Sequence, residues 1–370
     1  MGETGSRSAR ALPGWGCGGT PVARNDAMPA FANPRLTYLL PIRSSASQAP
    51  GELTAYLRHV ATLAEVIVVD GSPPVVFADH AAAWGDVVRH VAPASDLATP
   101  MGKVGGVLTG LRLASHEHIV IADDDVRYDD ATLLRVAGAL ETDAVVRPQN
   151  YFAPLPWHAL WDSGRMLLNR ATGGDWPGTL AVRRSVLVAT GGYDGRAMFE
   201  NLELARTVRA AGGTEVVLYD AFVLRRPSTT PHFLSQRVRQ AYDEIARPPR
   251  LVAQLAILPL LVLIAGSWGW RGLAGAGVVV MAVAEGGRWR AGARAVFPVM
   301  ASVLAPAWVM ERAVCIWLAV ASRLVYGGVR YRGVVLHHAA TPMRELRARF
   351  AHLRPARLRP GDREAPRRSA

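Results

Sequence analysis

Apolar positions follow two alternating patterns along the chain from residue 36 onward. Short continuous apolar runs, such as those at residues 36–40 and 65–70, are typical of buried strands. Between them, residues 55–64 and 102–114 place apolar side chains three and four positions apart, which predicts helices. Because strands and helices alternate at this rhythm, the sequence predicts βαβ units and an α/β fold with a mostly parallel sheet.

Carboxylates follow two of the predicted strands at the point where each strand ends. Asp70 follows one strand, and three consecutive aspartates, Asp123–Asp125, follow another. In parallel sheets, ligands bind at the carboxyl ends of the strands. Adjacent carboxylates repel one another unless a cation lies among them, and hard divalent cations take oxygen ligands. The pattern therefore favours a binding site, with turn chemistry at Asp70 and a solvated aspartate loop as the alternatives.

The chain becomes more apolar in its last third. Residues 251–270 contain no charged side chain over 20 positions, which is enough to span a hydrocarbon core of ~30 Å. Further apolar runs at residues 272–284, 295–310 and 313–322 are shorter or interrupted. We predict transmembrane or interfacial helices over residues 248–328, with two or four spans. The alternative for each run is a buried core helix.

Positive charge is concentrated at the C-terminal end. The 370-residue chain is 50% hydrophobic and 19% charged, with a formal net charge of +12. Residues 330–370 hold 11 arginines against 3 acidic residues. Because basic residues directly after apolar spans are typical of cytoplasmic membrane-proximal segments, residues 329–370 are predicted to form a basic cytoplasmic tail, and no nucleic-acid partner is expected. Two distant cysteines, Cys17 and Cys315, support neither a disulfide framework nor a zinc site.

The first 34 residues are rich in Gly, Ala, Arg and Pro and show no periodicity. They lack the apolar stretch of a signal peptide, so we expect a disordered tail over residues 1–34, with Met28 as an alternative start of translation. The α/β pattern then predicts a folded domain over residues 35–247, ahead of the apolar helices.

Six short features follow one another in an order that resembles the family 2 inverting glycosyltransferases. The resemblance is strongest to the membrane-bound branch that includes ceramide glucosyltransferase and hopanoid-lipid transferases, and it covers about residues 36–326. It implies a nucleotide-sugar-binding glycosyltransferase fold of type A, Rossmann-like, followed by transmembrane helices. The features that carry the resemblance are Asp70, GKVGG (102–106), the aspartate triplet, GTLAVRRSVL (178–187), FENLELARTVRAAGG (199–213) and SQRVRQAY (235–242).

The resemblance implies a donor pocket at the strand ends. Asp70 would hydrogen-bond the base of a nucleotide sugar, most simply a UDP-sugar, with Pro41 and Arg43 near the same pocket. Lys103 would approach the nucleotide or its phosphates. The GKVGG segment lacks the glycine and Ser/Thr spacing of a phosphate-binding P-loop, so the implied role of Lys103 depends on the family pattern.

The aspartate triplet matches the D-x-D element of the family. Asp123 and Asp125 would hold Mn²⁺ or Mg²⁺ against the donor diphosphate, and Asp124 would lie on the donor side. A metal ion together with a nearby cation stabilises the negative charge that builds on a departing nucleoside diphosphate.

Two positions depart from the family pattern. The family's Glu-Asp pair, whose aspartate is usually the general base, here reads Glu200-Asn201. Because Asn cannot accept a proton at neutral pH, Glu200 or Glu203 would be the base, or Asn201 would only position the acceptor. Both glutamates are also typical of a helix N-terminus. In the family's Q-x-x-R-W element, Gln236 and Arg239 remain to contact the diphosphate, and the tryptophan is missing.

Acceptor contacts are predicted from two further segments. Trp157 and Trp161 lie four residues apart, hence on one face of a helix that would either lie at the bilayer or pack in the core. The resemblance implies that Gly178 and Thr179, which open the segment GTLAVRRSVL, also belong to the acceptor site.

The expected activity is transfer of a sugar, with inversion, to a lipid hydroxyl or lipid phosphate. The protein would be a multi-pass plasma-membrane protein with its catalytic domain and tail in the cytoplasm. The alternatives are a processive polysaccharide synthase, disfavoured by the few spans, and a catalytically inactive membrane protein that keeps the fold.

Overall fold

A computed structural model of the chain describes residues 35–49, 51–331 and 334–353. The predicted N-terminal tail, and the predicted basic tail from residue 354 onward, lie outside the described residues. The strands are β1 Leu36–Ile42, β2 Glu65–Asp70, β3 Arg89–Val91, β4 His118–Ala122, β5 Val126–Arg127, β6 Val145–Phe152, β7 Thr179–Arg183, β8 Glu215–Arg225, β9 Val329–Tyr331 and β10 Val334–Leu336. The α-helices are α1 Glu52–Val60, α2 Pro74–Trp84, α3 Gly102–Leu113, α4 Asp130–Ala139, α5 Trp157–Thr172, α6 Arg184–Ala189, α7 Glu200–Ala210, α8 Thr230–Ser235, α9 Arg237–Tyr242, α10 Pro248–Trp289, α11 Val299–Val303, α12 Ala305–Tyr326 and α13 Met343–Arg349.

Eight strands form one sheet in the order β3-β2-β1-β4-β7-β6-β8-β5. The pairings β3–β2, β2–β1, β1–β4 and β6–β8 are parallel. The pairings of β7 with β4 and β6, and of β5 with β8, are antiparallel. The predicted α/β fold with a mostly parallel sheet, followed by long apolar helices, is confirmed.

The central strands are apolar along their whole length because both faces of the sheet are covered. Alternate residues of β1 enter different cores: Leu39 packs with Ile67 in one cluster, and Leu40 packs with Val68 in the other. The carboxyl ends of β1, β2 and β4 therefore lie side by side at one edge of a rigid sheet.

Glycines let α3 approach β1 closely. A Cβ atom on Gly106 would lie 2.9 Å from Pro41 Cβ, and one on Gly110 would lie 2.0 Å from Leu39 Cδ1. These contacts explain why the GKVGG segment is rich in glycine without being a phosphate-binding loop. The close packing sets the N-terminal turn of α3, and with it Lys103, beside the strand ends.

Two described segments are long and apolar enough to cross a membrane by length and composition, Pro248–Ala295 and Val299–Tyr326. In its most apolar window the first is 6% buried, whereas the second is 39% buried. Gly269 has non-helical dihedral angles (φ 57°, ψ −150°) and divides α10 into two helical parts. Two such segments give weak support to the predicted membrane association.

The apolar helices are not separate from the α/β part. Met166 and Leu167 of α5 pack with Ala284 of α10, Phe297, and Ala301 of α11 in one buried cluster. The predicted division near residue 248 into a catalytic and a membrane part stays a prediction.

Candidate active site

A cavity of about 660 Å³ opens where β1, β2 and β4 end, which is the edge expected to bind a ligand. Other lining residues come from α5, from α9 and the chain after it, and from α10 and α12. It thus joins the sheet edge to both segments that are apolar enough to cross a membrane. The predicted site residues that line it are Pro41, Arg43, Lys103, Asp123, Asp124, Gly178, Glu200, Asn201 and Arg239.

Lys103 bridges two acidic residues from distant parts of the chain. Its Nζ lies 2.6 Å from Asp123 Oδ1, at the end of β4, and 2.8 Å from Glu200 Oε1, in the first turn of α7. Burial alone would lower the pKa of Lys103, but the two carboxylates raise it above its usual range. The lysine is therefore a fixed cation at neutral pH.

Arg225, at the end of β8, is the second cation of this cluster. Its guanidinium contacts Asp125 Oδ2 at 2.8 Å and Asp123 Oδ2 at 3.5 Å. Burial would raise the pKa of Asp123, but Lys103 and Arg225 together lower it. Asp123 is therefore the carboxylate that both cations share.

The aspartate triplet contains a buried carboxylate oxygen without a partner. Asp125 Oδ1 has no hydrogen-bond partner among the described residues. Asp125 does not line the cavity itself, but it contacts Arg225, which does. Burial, followed by the charges of Asp125 and Asp123, raises the pKa of Asp124. Carboxylate oxygens are the ligands that Mg²⁺ or Mn²⁺ prefers. Among the described residues, however, the group that brings three ligand atoms within 4.8 Å of one another is Asp70, His80 and His90, and not the triplet.

Because residue 178 is a glycine, Asp123 and Arg225 of the ion cluster can lie close to its backbone. A Cβ atom there would lie 2.7 Å from Asp123 Oδ2 and 3.1 Å from Arg225 Cζ. The neighbouring Thr179 is buried, donates to the Ile121 carbonyl at 2.7 Å and contacts the Tyr128 hydroxyl. Gly178 thus lines the cavity, whereas Thr179 joins β7 to β4 behind it.

Asp70 lies behind the cavity wall, which Val69 and Gly71 form at this point. Asp70 Oδ2 contacts His80 Nδ1 at 2.7 Å and His90 Nε2 at 3.1 Å, and Oδ1 accepts from the Ser72 amide at 2.8 Å. Burial would raise the pKa of Asp70, but these hydrogen bonds hold it well below its usual range.

Asp70, His80 and His90 also offer ligand atoms that lie within 4.8 Å of one another, close enough to hold a metal ion. However, His80 Nε2 accepts from the Gln48 amide at 2.8 Å, so the proton of the neutral ring is on Nδ1, which donates to Asp70. Both His80 nitrogens already have protein partners. The three side chains are therefore satisfied as a hydrogen-bonded network, whereas Asp125 Oδ1 has no partner among the described residues.

The three predicted base or positioning residues lie in different surroundings. Glu200 lines the cavity and pairs with Lys103. Asn201 also lines it, and its Nδ2 donates to the Pro177 carbonyl at 3.0 Å. Glu203 is fully buried outside the cavity lining, accepts from the Thr341 amide at 2.6 Å, and has a pKa raised by burial. Glu200 is thus the one of the two predicted glutamates that faces the cavity.

Of the Q-x-x-R pair, the structure brings Arg239 into the cavity wall and leaves Gln236 outside it. Gln236 Nε2 donates to the Ser235 hydroxyl at 3.2 Å. The intervening Arg237 points into the protein, where it pairs with Glu311 at 2.6 Å and Asp162 at 3.1 Å. Arg237 thereby attaches α9 to α5 and α12.

Neither predicted acceptor tryptophan lines the cavity. Trp157 is 54% exposed and packs edge-on against Phe233. Trp161 Nε1 donates to Glu311 Oε2 at 2.8 Å, so this residue contributes to the same attachment as Arg237. Their acceptor role stays a prediction.

Sequence reasoning missed Asp243, which follows α9 and lines the cavity. Its Oδ1 is buried without a hydrogen-bond partner in the part of the chain that the structure describes. Burial raises the pKa of Asp243 to about 7, against the opposing charge of Arg239 and with an added contribution from Glu200. The available signal was its position four residues after Arg239, on the same helical face.

Sequence reasoning also missed Arg312, which lies in α12, is 3% exposed and lines the cavity. In the sequence it falls between the apolar runs at residues 295–310 and 313–322. A charged residue within a candidate membrane span is by itself a sign of function, and this signal was available.

No protein-family model and no curated protein matches the chain. Among solved structures, a mannosyltransferase from Pyrobaculum calidifontis in complex with GDP-Man and Mn²⁺ is similar, with 18% identity, a TM-score of 0.44, and coverage of 78% of this chain and 88% of that chain. Residues 1–349 of TarS from S. aureus, in complex with UDP-GlcNAc, have 15% identity and a TM-score of 0.38, covering 54% of this chain and 60% of that chain. Glucosyl-3-phosphoglycerate synthase from M. tuberculosis has 18% identity and a TM-score of 0.36, covering 54% and 74% respectively. Similarity at this level does not establish a shared activity.

Proposed function

We propose that the protein transfers a sugar from a nucleotide-sugar donor to a membrane lipid, with inversion at the anomeric carbon. The observation that carries the proposal is the ion cluster at the strand ends. There Lys103 bridges Asp123 and Glu200, and Arg225 pairs with Asp123 and Asp125. Preorganised cations at this edge suit a departing group that gains negative charge in the transition state.

The nucleotide of the donor would occupy the side of the cavity formed by the ends of β1 and β2. Pro41 and Arg43 line this side, and the Asp70 network fixes the backbone of Val69 and Gly71 behind it. We propose that the base lies against this segment and that the diphosphate points toward Lys103. A UDP-sugar is the donor to test first.

A divalent metal would be held by Asp123 and Asp125, with Asp124 on the cavity wall beside them. When bound, Mn²⁺ or Mg²⁺ neutralises charge on the diphosphate. Lys103 and Arg225 keep the carboxylates in place, since each carboxylate of the pair already contacts a cation of the protein. Gly178 leaves the space in front of Asp123 open.

The acceptor would enter from the opposite side. Arg250, Trp308 and Arg312 line the cavity from α10 and α12, the two segments apolar enough to cross a membrane. A lipid head group in the bilayer would therefore reach the donor without leaving the membrane. For a hydroxyl acceptor, Glu200 offers the base, because Asn201 cannot accept a proton.

The experiment that tests the proposal is an assay of purified, detergent-held protein against a panel of nucleotide sugars and lipids, with and without Mn²⁺ or Mg²⁺. We expect metal-dependent transfer of a single sugar to a lipid. A product carrying a long sugar chain would support a polysaccharide synthase instead. Release of no sugar from any donor would support the inactive alternative and contradict the proposal.

We further propose that both flanks of the apolar region lie in the cytoplasm, since basic residues at Arg247 and in the tail lie on either side of it. The test is an introduced cysteine, Ser369→Cys, in a chain with Cys17→Ser and Cys315→Ser. A membrane-impermeant maleimide should label it only after the cells are opened. Labelling from outside intact cells would contradict this topology.

A further inference from the structure

Arg312 is a buried cation on the helix side of the cavity. Within the residues that the structure describes, its Nε and Nη1 are buried without a hydrogen-bond partner, and the guanidinium has no ion-pair partner. Its one close contact of note is the Trp308 ring, whose centroid lies 5.0 Å from the guanidinium carbon. A cation–π contact compensates a buried charge only in part.

The acidic residues near Arg312 are already engaged by other cations. Glu311, the next residue along α12, accepts from Arg237 Nε at 2.6 Å. Glu244 pairs with Arg247 at 2.7 Å. Glu311 and Glu244 therefore offset the charge of Arg312 only from a distance, and among the described residues neither forms a direct ion pair with it.

A buried guanidinium without a direct ion pair, and with two nitrogens lacking hydrogen-bond partners, is unfavourable unless something of opposite sign binds there. Arg237, on the neighbouring α9, is a buried arginine whose charge is compensated. It is about as buried as Arg312, and it pairs directly with two carboxylates. Arg312 differs from it in facing a cavity. An anion in the cavity would supply the missing partner.

We infer that Arg312 and Trp308 form a subsite for the phosphate head group of a lipid, and that this lipid is the sugar acceptor; the acceptor role rests on the proposed transferase function. A guanidinium matches the oxygens of a phosphate in geometry as well as in charge. The lipid chain would lie along the outer surface of α12, where Met310, Val314 and Trp317 are exposed.

A phosphate acceptor also accounts for the asparagine at position 201. The phosphate oxygen is already anionic near neutral pH, so it attacks the anomeric carbon without first losing a proton. A new bond forms between that carbon and the acceptor oxygen. The bond from the carbon to the donor diphosphate breaks, and its electron pair leaves with the diphosphate. No general base is required, and Asn201 can hold the Pro177 carbonyl instead.

The test is a binding measurement on the full-length protein in detergent, using decyl phosphate below its micelle concentration, decanol and inorganic phosphate as probes. Isothermal titration and the shift in unfolding temperature are the readouts. We expect decyl phosphate to bind at least about tenfold more tightly than the other two, because one charged hydrogen bond and the apolar chain both contribute.

Arg312→Met should weaken decyl phosphate binding by about 10- to 100-fold, as expected for loss of a charged hydrogen bond. Arg312→Lys, which keeps the charge, should recover part of the affinity. Arg271→Met, on the exposed surface of α10, is the matched control and should bind normally. Unchanged binding of UDP to each variant shows that it is folded.

Decyl phosphate binding that is the same in Arg312→Met and in the wild type would overturn the inference, as would equal binding of decanol. Equal binding of inorganic phosphate would overturn the lipid assignment and indicate a site for free phosphate. If Arg312-dependent binding is found but no donor is ever turned over, the subsite stands and the transferase proposal fails. The two failures are thereby distinguished.

Discussion

The two sides of the cavity differ in how their charges are balanced. On the side of the strand ends, three acidic residues, Asp123, Asp124 and Glu200, line the wall with three cations, Arg43, Lys103 and Arg225, and Asp125 stands behind Arg225. On the helix side, cations are in excess. Its charged lining residues are Arg165, Arg239, Arg247, Arg250 and Arg312 against Asp243 and Glu244.

This difference indicates two ligands of unlike chemistry. A wall with equal numbers of carboxylates and cations fits a metal ion together with a diphosphate. A cation-rich wall that includes an unpaired arginine fits an anion alone. This charge pattern supports the proposal that a metal-bound donor and an anionic acceptor share the cavity.

The largest effect should come from removing a carboxylate on the strand side. Asp125→Asn should lower metal-dependent turnover by about 10²–10³-fold, in the range seen when one electrostatic contact to a transition state is lost. Turnover at varied Mn²⁺ and Mg²⁺ measures it. The exposed Asp130→Asn is the matched control. Full activity of the Asp125 variant, or undiminished wild-type activity in EDTA, would refute the metal assignment.

A second variant disrupts the ion cluster on the strand side by filling the space beside Gly178. Gly178→Ala places a Cβ atom 2.7 Å from Asp123 Oδ2, so the carboxylate and Arg225 must move. Because small displacements of catalytic groups are costly, we expect about a 10- to 100-fold loss of turnover with normal expression. Gly138→Ala, which meets nothing within 4 Å, is the control. Wild-type turnover in the Gly178 variant would show that the cluster tolerates displacement.

The Glu200→Gln variant distinguishes a hydroxyl acceptor from a phosphate acceptor. A general base contributes typically 10²–10⁴-fold to the rate, so a hydroxyl acceptor predicts a loss of that size. With a phosphate acceptor, only the ion pair to Lys103 is lost, and we expect a drop of less than about tenfold. Steady-state rates at saturating donor decide between them. A thousandfold loss would refute the phosphate acceptor.

The smallest expected effect is a pH dependence on the helix side. Asp243, whose pKa is raised to about 7, faces Arg239 and Arg247 as well as Glu200 and Glu244. It is neutral below that pH and becomes an anion above it, so decyl phosphate binding should weaken as pH rises. Relative to Asp243→Asn, the loss between pH 6 and pH 8 should be about fivefold, the effect of ~1 kcal/mol of repulsion. The prediction is wrong if the affinity for decyl phosphate changes equally with pH in the wild type and in Asp243→Asn.

Several features were determined by the sequence itself. The alternation of apolar runs predicted the α/β sheet, and a continuous apolar strand followed by Asp123–Asp125 predicted where ligands bind, because parallel strands end at one edge. Long uncharged segments predicted the apolar helices for a similarly local reason, the cost of charge in hydrocarbon. In each case the physical cause acts over a short stretch of chain.

Only the tertiary structure decided which charges meet. Lys103 and Glu200 are 97 residues apart in sequence, and nothing local indicates that they share a hydrogen bond of 2.8 Å. The same holds for the engagement of Asp70 by two histidines and for the separation of Glu200, in the cavity, from Glu203, buried behind it. Whether Arg312 has a partner depends on where Glu311 and Glu244 point. Pairing of charges is a property of three-dimensional neighbours, and the sequence supplies only the candidates.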